Sequence, residues 1–192
     1  MKVPADFLSA SLASMELIFR TATLSEGKEV VRVIRAAFTP YMRALGREFP
    51  ADGSAAFAER WQRIVAELGR GDVYLALAGH GEGNGEGNGE GAHIVGAVRT
   101  TPQENDLYIN QIAVDPSQQG SGIGSWLLQR IDEVARARGL GGLSLMTAEM
   151  AVANIRLYER HGFAIVRRGP PDHGLDAHPR VYMAKTFRAA TS

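Results

Sequence analysis

The sequence predicts one mixed α/β domain, a mostly antiparallel sheet of about seven strands flanked by about four helices in the order βααβββαβαββ. Three observations predict it. Short runs rich in Val, Ile, Leu and Ala alternate with longer stretches whose apolar residues recur at helical spacing. Glycine or proline punctuates most junctions between them. Helices are interleaved with strands along the chain, the pattern of an α/β sheet. With 192 residues, 45% of them hydrophobic, the chain can bury one sizeable core.

Residues 1–15 read as an N-terminal tail. Lys2, Pro4 and Asp6 leave no apolar segment of signal-peptide length, so a cytoplasmic location is expected. A strand at 16–22 leads to a helix after Ser25, in which Val30, Val33, Ile34, Ala37, Phe38 and Tyr41 fall near helical spacing. In the second helix Ser54 is the expected cap, Phe57, Trp61, Ile64, Val65 and Leu68 form the apolar stripe, and Gly69 is the expected stop.

Two β-rich runs, 72–78 and 93–100, flank residues 79–91, where glycine occupies seven of thirteen positions. That segment cannot bury a core and reads as an expanded hairpin loop rather than a domain linker. A strand at 107–114 is stopped by Asp115-Pro116. The helix at 122–138 aligns Ile123, Trp126, Leu127, Ile131, Val134 and Ala135 on one face and ends at Gly139. A strand at 142–147, a helix at 151–161 ended by Gly162, and strands at 163–167 and 180–187 complete a domain spanning 16–188.

Composition removes several function classes. There is no cysteine, hence no disulfide framework, thiolate nucleophile or zinc–thiolate site. The 21 basic and 21 acidic side chains cancel and the basic ones are scattered, so nucleic acid is not an expected partner. No apolar run approaches the roughly 18 residues of a membrane span. His173 and His178 bracket Asp176, but their spacing matches no ligand pattern, and no metal is expected.

The segment with the clearest chemistry begins where the 107–114 strand exits at Pro116 and Gly120, Gly122 and Gly124 open an amphipathic helix. Glycines let the backbone turn and present successive N–H groups at a helix N-terminus, where the dipole favours a phosphate or pyrophosphate. The pattern is neither a dinucleotide fingerprint, which needs glycine where Ser125 stands, nor a P-loop, which needs Gly-Lys-Ser/Thr. On its own it is either an anion cradle or a glycine-rich turn.

Gln119, Gly122 and Gly124 resemble the Gln/Arg-x-x-Gly-x-Gly/Ala signature of the GNAT superfamily of acyl-CoA-dependent N-acetyltransferases, and Ile112, Ala113 and Val114 before Asp115-Pro116 are similar to the strand that leads into it. A second block, Asn154, Tyr158, Glu159, Gly162 and Phe163, resembles the family's later helix. The resemblance extends over about residues 17–187 and implies a GNAT fold with acetyl-CoA as cosubstrate.

It further implies roles. Backbone amides of Gln119, Gly120, Ser121, Gly122, Ile123, Gly124 and Ser125 would hold the pyrophosphate. Ile112, Ala113 and Val114, splayed from the next strand, would pair with the pantetheine and polarise the thioester carbonyl. Asn154 would hydrogen-bond the pantetheine arm, and Tyr158, four residues on, would protonate the departing thiolate. Tyr158 also continues an apolar stripe and could be core.

An ammonium acceptor must lose a proton, yet Tyr108, Asn110 and Gln111 of the central strand are not bases at neutral pH. Glu149 is the best substitute, and it could equally be a solvated loop carboxylate. Tyr41, Tyr108 and Asn110 are the candidate acceptor-binding residues. The expected partner is a small-molecule or peptide amine, with a homodimer through edge strands as a family habit. A binding module that retains the cradle without a base is the alternative function.

Overall fold

The computed structural model of the chain describes residues 16–50, 54–79, 92–170 and 177–187, the side chains of 55–57 excepted. Its elements keep the predicted order. They are β1 (Glu16–Thr21), α1 (Gly27–Ala44), α2 (Ala55–Arg70), β2 (Val73–Gly79), β3 (His93–Pro102), β4 (Asp106–Val114), α3 (Ile123–Ala137), β5 (Gly142–Ala148), α4 (Val152–Arg160), β6 (Ala164–Gly169) and β7 (Arg180–Thr186). Single 3₁₀ turns, Leu24–Glu26 and Pro116–Gln118, precede α1 and the loop before α3. The seven strands form one sheet in the order β1-β2-β3-β4-β5-β7-β6. β4 and β5 run parallel; β1/β2, β2/β3, β5/β7 and β6/β7 run antiparallel. This is the mixed α/β sheet with interleaved helices that the sequence predicts.

The glycine-rich segment 80–91, the tail 1–15, and His173 and Asp176 lie outside the described residues. No helix among the described residues is long and apolar enough to cross a membrane.

Backbone packing divides the chain into two compact units. One comprises the residues up to Arg99 together with Gln111–Leu127; the other comprises Thr100–Asn110 together with the residues from Leu128 on. In the first unit, Val30, Val33 and Ile34 of α1, Ile64 and Leu68 of α2, and Val73, Leu75 and Leu77 of β2 pack into one apolar cluster with Ile94, Ala97 and Ala113. Removing such side chains from water is what holds the helices on the sheet. The two helices approach closely because α1 begins with Gly27: a Cβ there would lie 2.9 Å from the Trp61 ring. Ser54 starts α2 as expected, its carbonyl accepting the Ala58 N–H at 3.0 Å. The stop differs from the expectation. Gly69 lies inside α2, and Gly71, at φ 71°, supplies the left-handed residue that ends it.

In the second unit β5 lies between a parallel neighbour, β4, and an antiparallel one, β7. Leu143, Leu145 and Ala148 of β5 are buried, as are Leu107 and Ile109 of β4, Ile131 and Ala135 of α3, and Val181 and Met183 of β7. The β4–β5 ladder runs from Asp106↔Gly142 to Ile109↔Leu145 and stops there, whereas β5 continues to pair with β7 as far as Ala148↔Arg180.

Candidate active site

Within the first unit, the segment after β4 is shaped by side chains that satisfy its own backbone. The Asp115 carboxylate accepts the Ser117 N–H at 3.0 Å and the Ser117 hydroxyl at 2.7 Å. These bonds, against an opposing penalty from burial and with further help from Arg32, hold its carboxyl below the usual range. Ser121 Oγ donates to Gln118 O at 2.6 Å, and Gln119 Nε2 donates to Val114 O at 3.1 Å, which ties the loop to the strand.

Gly120 and Gly122 have φ of 83° and 97°, a region that disfavours side chains. No atom lies within 4 Å of where a Gly120 Cβ would sit, so it is the conformation and not crowding that calls for glycine there. The first helical bond of α3 runs from Trp126 N–H to Gly122 O at 3.0 Å. The amides of Ile123, Gly124 and Ser125 therefore precede the helical ladder, where they can serve an anion.

The loop is anchored on a close approach of backbone. A Cβ on Gly96 of β3 would fall 2.9 Å from Leu127 Cδ1, 3.1 Å from Ala113 O and 3.4 Å from Ile123 Cγ2. Asp115 N–H donates to Val95 O at 2.8 Å. Ile112 and Val114 are half-buried and Ala113 is buried. Behind this segment lies a network that the sequence did not reveal. Arg99 of β3 makes a buried fork with Glu67 of α2, Nε to Oε2 at 2.5 Å and Nη2 to Oε1 at 2.8 Å. Its third nitrogen, Nη1, donates to Gln111 Oε1 at 2.5 Å. The available signal was an arginine ending an otherwise apolar strand run, and a glutamate three residues beyond Ile64 beside the stripe of α2. Tyr41 also belongs to this unit, half-buried on α1 with its ring edge-on to Phe38 at 5.9 Å.

The second unit carries the remaining expected residues. Tyr158 is 7% exposed, its ring 5.9 Å from that of Phe163. Asn154, one turn earlier on α4, is exposed, so the two share a spacing but not an environment. Glu149, just past β5, is held through its backbone, N–H to Pro179 O at 2.9 Å. Its carboxylate lies 3.3 Å from Arg168 Nε and is exposed. Asn110 Nδ2 donates to Thr101 Oγ1 at 2.7 Å, and Tyr108 is half-buried in β4. Among the described residues no three His, Cys, Asp or Glu side chains converge as a metal site.

The comparisons with known proteins agree with this fold. The model of the Acetyltransferase (GNAT) family matches residues 38–163. The chain belongs to that family, which draws on acetyl-CoA. The chain is 42% identical over 62 residues to an "IAA acetyltransferase" of Azospirillum brasilense, a match covering 32% of this chain and 39% of that protein. In fold it is similar to the ribosomal-protein-S18-alanine N-acetyltransferase of Escherichia coli, with 17% identity, 91% of this chain and 96% of that one covered, and a TM-score of 0.66. It is likewise similar to the PaiA N-acetyltransferase of Thermoplasma acidophilum in complex with coenzyme A, with 15% identity, 90% and 100% covered, and a TM-score of 0.63.

Proposed function

We propose that this chain is an N-acetyltransferase that moves the acetyl group of acetyl-CoA directly to an amine. The observation that carries the reading is the loop from Gln119 to Ser125, with two left-handed glycines and three amides ahead of the first helical bond of α3, in a chain of the GNAT family. The coenzyme supplies an acetyl thioester. Amides of Gly120, Ser121, Gly122, Ile123, Gly124 and Ser125 hold its pyrophosphate, with Gln119 fastening the loop to Val114. Backbone groups of Ile112, Ala113 and Val114 bind the pantetheine amides, and one N–H there stabilises the negative charge that gathers on the thioester oxygen.

Asn154 hydrogen-bonds the pantetheine arm. Tyr158 donates its hydroxyl proton to the thiolate as the carbon–sulfur bond breaks, and Glu149 accepts the proton the amine must lose for the carbon–nitrogen bond to form. Arg168, whose Nε lies 3.3 Å from the Glu149 carboxylate, helps to place it. With no cysteine, an acyl-cysteine relay has no nucleophile. Tyr41, Tyr108 and Asn110 are the residues given to acceptor binding, the acceptor being a small amine or a peptide amino group. No metal takes part, the enzyme works in the cytoplasm, and edge strands pair in a homodimer.

Calorimetric titration with acetyl-CoA, dephospho-CoA and a longer acyl-CoA tests the donor without knowledge of the acceptor. Saturable binding of acetyl-CoA is expected, followed by thiol release in an amine screen. A folded protein that binds none of the three would overturn the proposal.

A further inference from the structure

Gln111 is half-buried and immediately precedes Ile112, at the head of the strand segment given to the pantetheine. Its Oε1 accepts from Arg99 Nη1 at 2.5 Å, while Nε and Nη2 of the same guanidinium are taken up by Glu67. A guanidinium carries donors only, so the amide oxygen must face Arg99 and the amide nitrogen must face away from it. Among the described residues no oxygen accepts from Gln111 Nε2, and that nitrogen is not one of the enclosed polar atoms lacking a partner, so its N–H groups are open to solvent.

A surface glutamine turns freely about its side-chain bonds. This one is fastened to a buried fork: the side chains of Arg99 and Glu67 are 8% and 5% exposed, and their two parallel bonds fix the plane of the guanidinium. The amide is thereby oriented before a ligand arrives, which removes the ordering cost from binding. Because the charge of Arg99 is answered within the fork by Glu67, what Gln111 presents is a neutral donor and not a cation. A neutral N–H suits a carbonyl oxygen, whereas desolvating a carboxylate calls for a positive charge.

The donor also has a defined side. From Gly96↔Ala76 to Arg99↔Val73 the pairing of β3 with β2 is unbroken, so Gly96 and Arg99, an odd number of residues apart, face opposite ways. A Cβ on Gly96 would meet Leu127 and Ile123 of α3, whereas Arg99 meets Glu67 of α2. The Gln111 amide therefore lies on the α2 face of the sheet, and the amides proposed for the pyrophosphate open the helix on the other face. Gln111, Arg99, Glu67 and the 112–127 segment all belong to one compact unit.

We propose that Gln111, positioned by Arg99 and Glu67, determines acceptor specificity: its Nε2 donates to the carbonyl oxygen of an acceptor that carries a neutral amide within a few bonds of its amino group, as an amino-acid amide or a peptide N-terminus does. The inference rests on the acetyltransferase proposal above and narrows its acceptor.

The test measures thiol release from acetyl-CoA with alaninamide and with the amine in which an isopropyl group replaces the carboxamide. Comparing the ratio of the two kcat/KM values between chains cancels the different basicity of the amines. Gln111→Glu keeps the oxygen that faces Arg99 and loses the donor; its ratio is expected to fall about three- to tenfold, chiefly through KM for alaninamide, the size of one hydrogen bond. Gln111→Leu is expected to do the same, and decides if Gln111→Glu fails to fold. Glu67→Leu/Arg99→Met leaves the amide present but unheld, with a smaller fall. An unchanged ratio in the Gln111 variants overturns the proposal, and an unchanged ratio in the double variant overturns the positioning by the fork. A short peptide beginning with alanine, run beside alaninamide, tells the two sources of the carbonyl apart by the higher kcat/KM.

The side-chain amide resonances of Gln111, identified by their loss in Gln111→Leu, read the contact without turnover. Alaninamide is expected to shift them saturably in coenzyme A-saturated and coenzyme-free protein, and alanine to shift them less. No shift, or a tighter response to alanine, overturns the proposal even in an active enzyme. Absence of acetyl-CoA binding, with these resonances still responding to alaninamide, counts against the acetyltransferase reading alone.

Discussion

Glu67 and Glu149 each lie against an arginine, yet the two pairs are opposites in every physical respect but charge. Glu67 and Arg99 have side chains 5% and 8% exposed and meet in a two-bond fork, with Gln111 taking the remaining nitrogen. Glu149 and Arg168 are 47% and 52% exposed and touch once, at 3.3 Å. The buried pair has lost its water, so each partner depends on the other. The exposed pair is screened and contributes little to stability. One carboxylate, locked in a fork, is a strut between α2 and β3, whereas the other keeps its solvent. That difference is why the proposed function gives proton transfer to Glu149 and not to Glu67.

The comparison is broken most forcefully at the buried pair. Arg99→Met strands the Glu67 carboxylate and is expected to cost about 3–5 kcal/mol in chemical denaturation, while the double variant Glu67→Leu/Arg99→Met recovers most of it. If the single and double variants were equally unstable, the fork would not be the source of the penalty. Next in size is Tyr158→Phe, which tests the catalytic role proposed for Tyr158. Turnover is expected to fall by about 10²-fold or more with acetyl-CoA affinity unchanged, read by steady-state kinetics beside calorimetry. Unchanged turnover would leave Tyr158 as a core ring packed on Phe163.

Gly120→Ala comes third, at about 1–2 kcal/mol, because a side chain at φ 83° is strained even where nothing crowds it. A thermal melt reads the strain, and weaker acetyl-CoA binding reads its effect on the loop. Glu149→Gln sharpens the comparison from the exposed side. Stability is expected to change by less than about 1 kcal/mol, while the low-pH limb of the pH–rate profile disappears. A profile identical to wild type would make this pair a surface ornament.

The smallest effect belongs to a third pair, Arg20 and Glu26. The hydrogen bond from Arg20, assisted by Thr23 against the opposing pull of burial, lowers the Glu26 carboxyl from 4.5 to about 2. A depressed carboxyl stabilises the fold fully above its unfolded value and loses that contribution as pH falls towards 2. Denaturation of Glu26→Gln at pH 7 and at pH 3 should therefore show a smaller acid loss than wild type shows.

The contrast between the pairs also marks what could be read from the chain beforehand. The position of Glu149, after a strand and before a recognisable helix, was legible. Glu67 was not, since its partner Arg99 lies 32 residues away and only pairing of β3 under α2 brings them together. The same holds for Gly69 and Gly71: both are glycines near the end of a stripe, and only the φ of 71° at Gly71 separates the stop from a residue inside the helix. Local patterns carry period and punctuation; they do not carry which side chain waits opposite.

Sequence by itself determined the order of eleven elements and the glycine turn at Gly120 and Gly122, because helical period, strand length and left-handed glycine are properties of neighbouring residues. Only the tertiary structure decided that Arg99 is paired with Glu67 inside the first unit, that Asn154 is exposed while Tyr158 is buried, and that the β4–β5 ladder ends at Ile109. Those outcomes depend on desolvation and on partners distant in the chain, and neither exists until the helices and strands have packed.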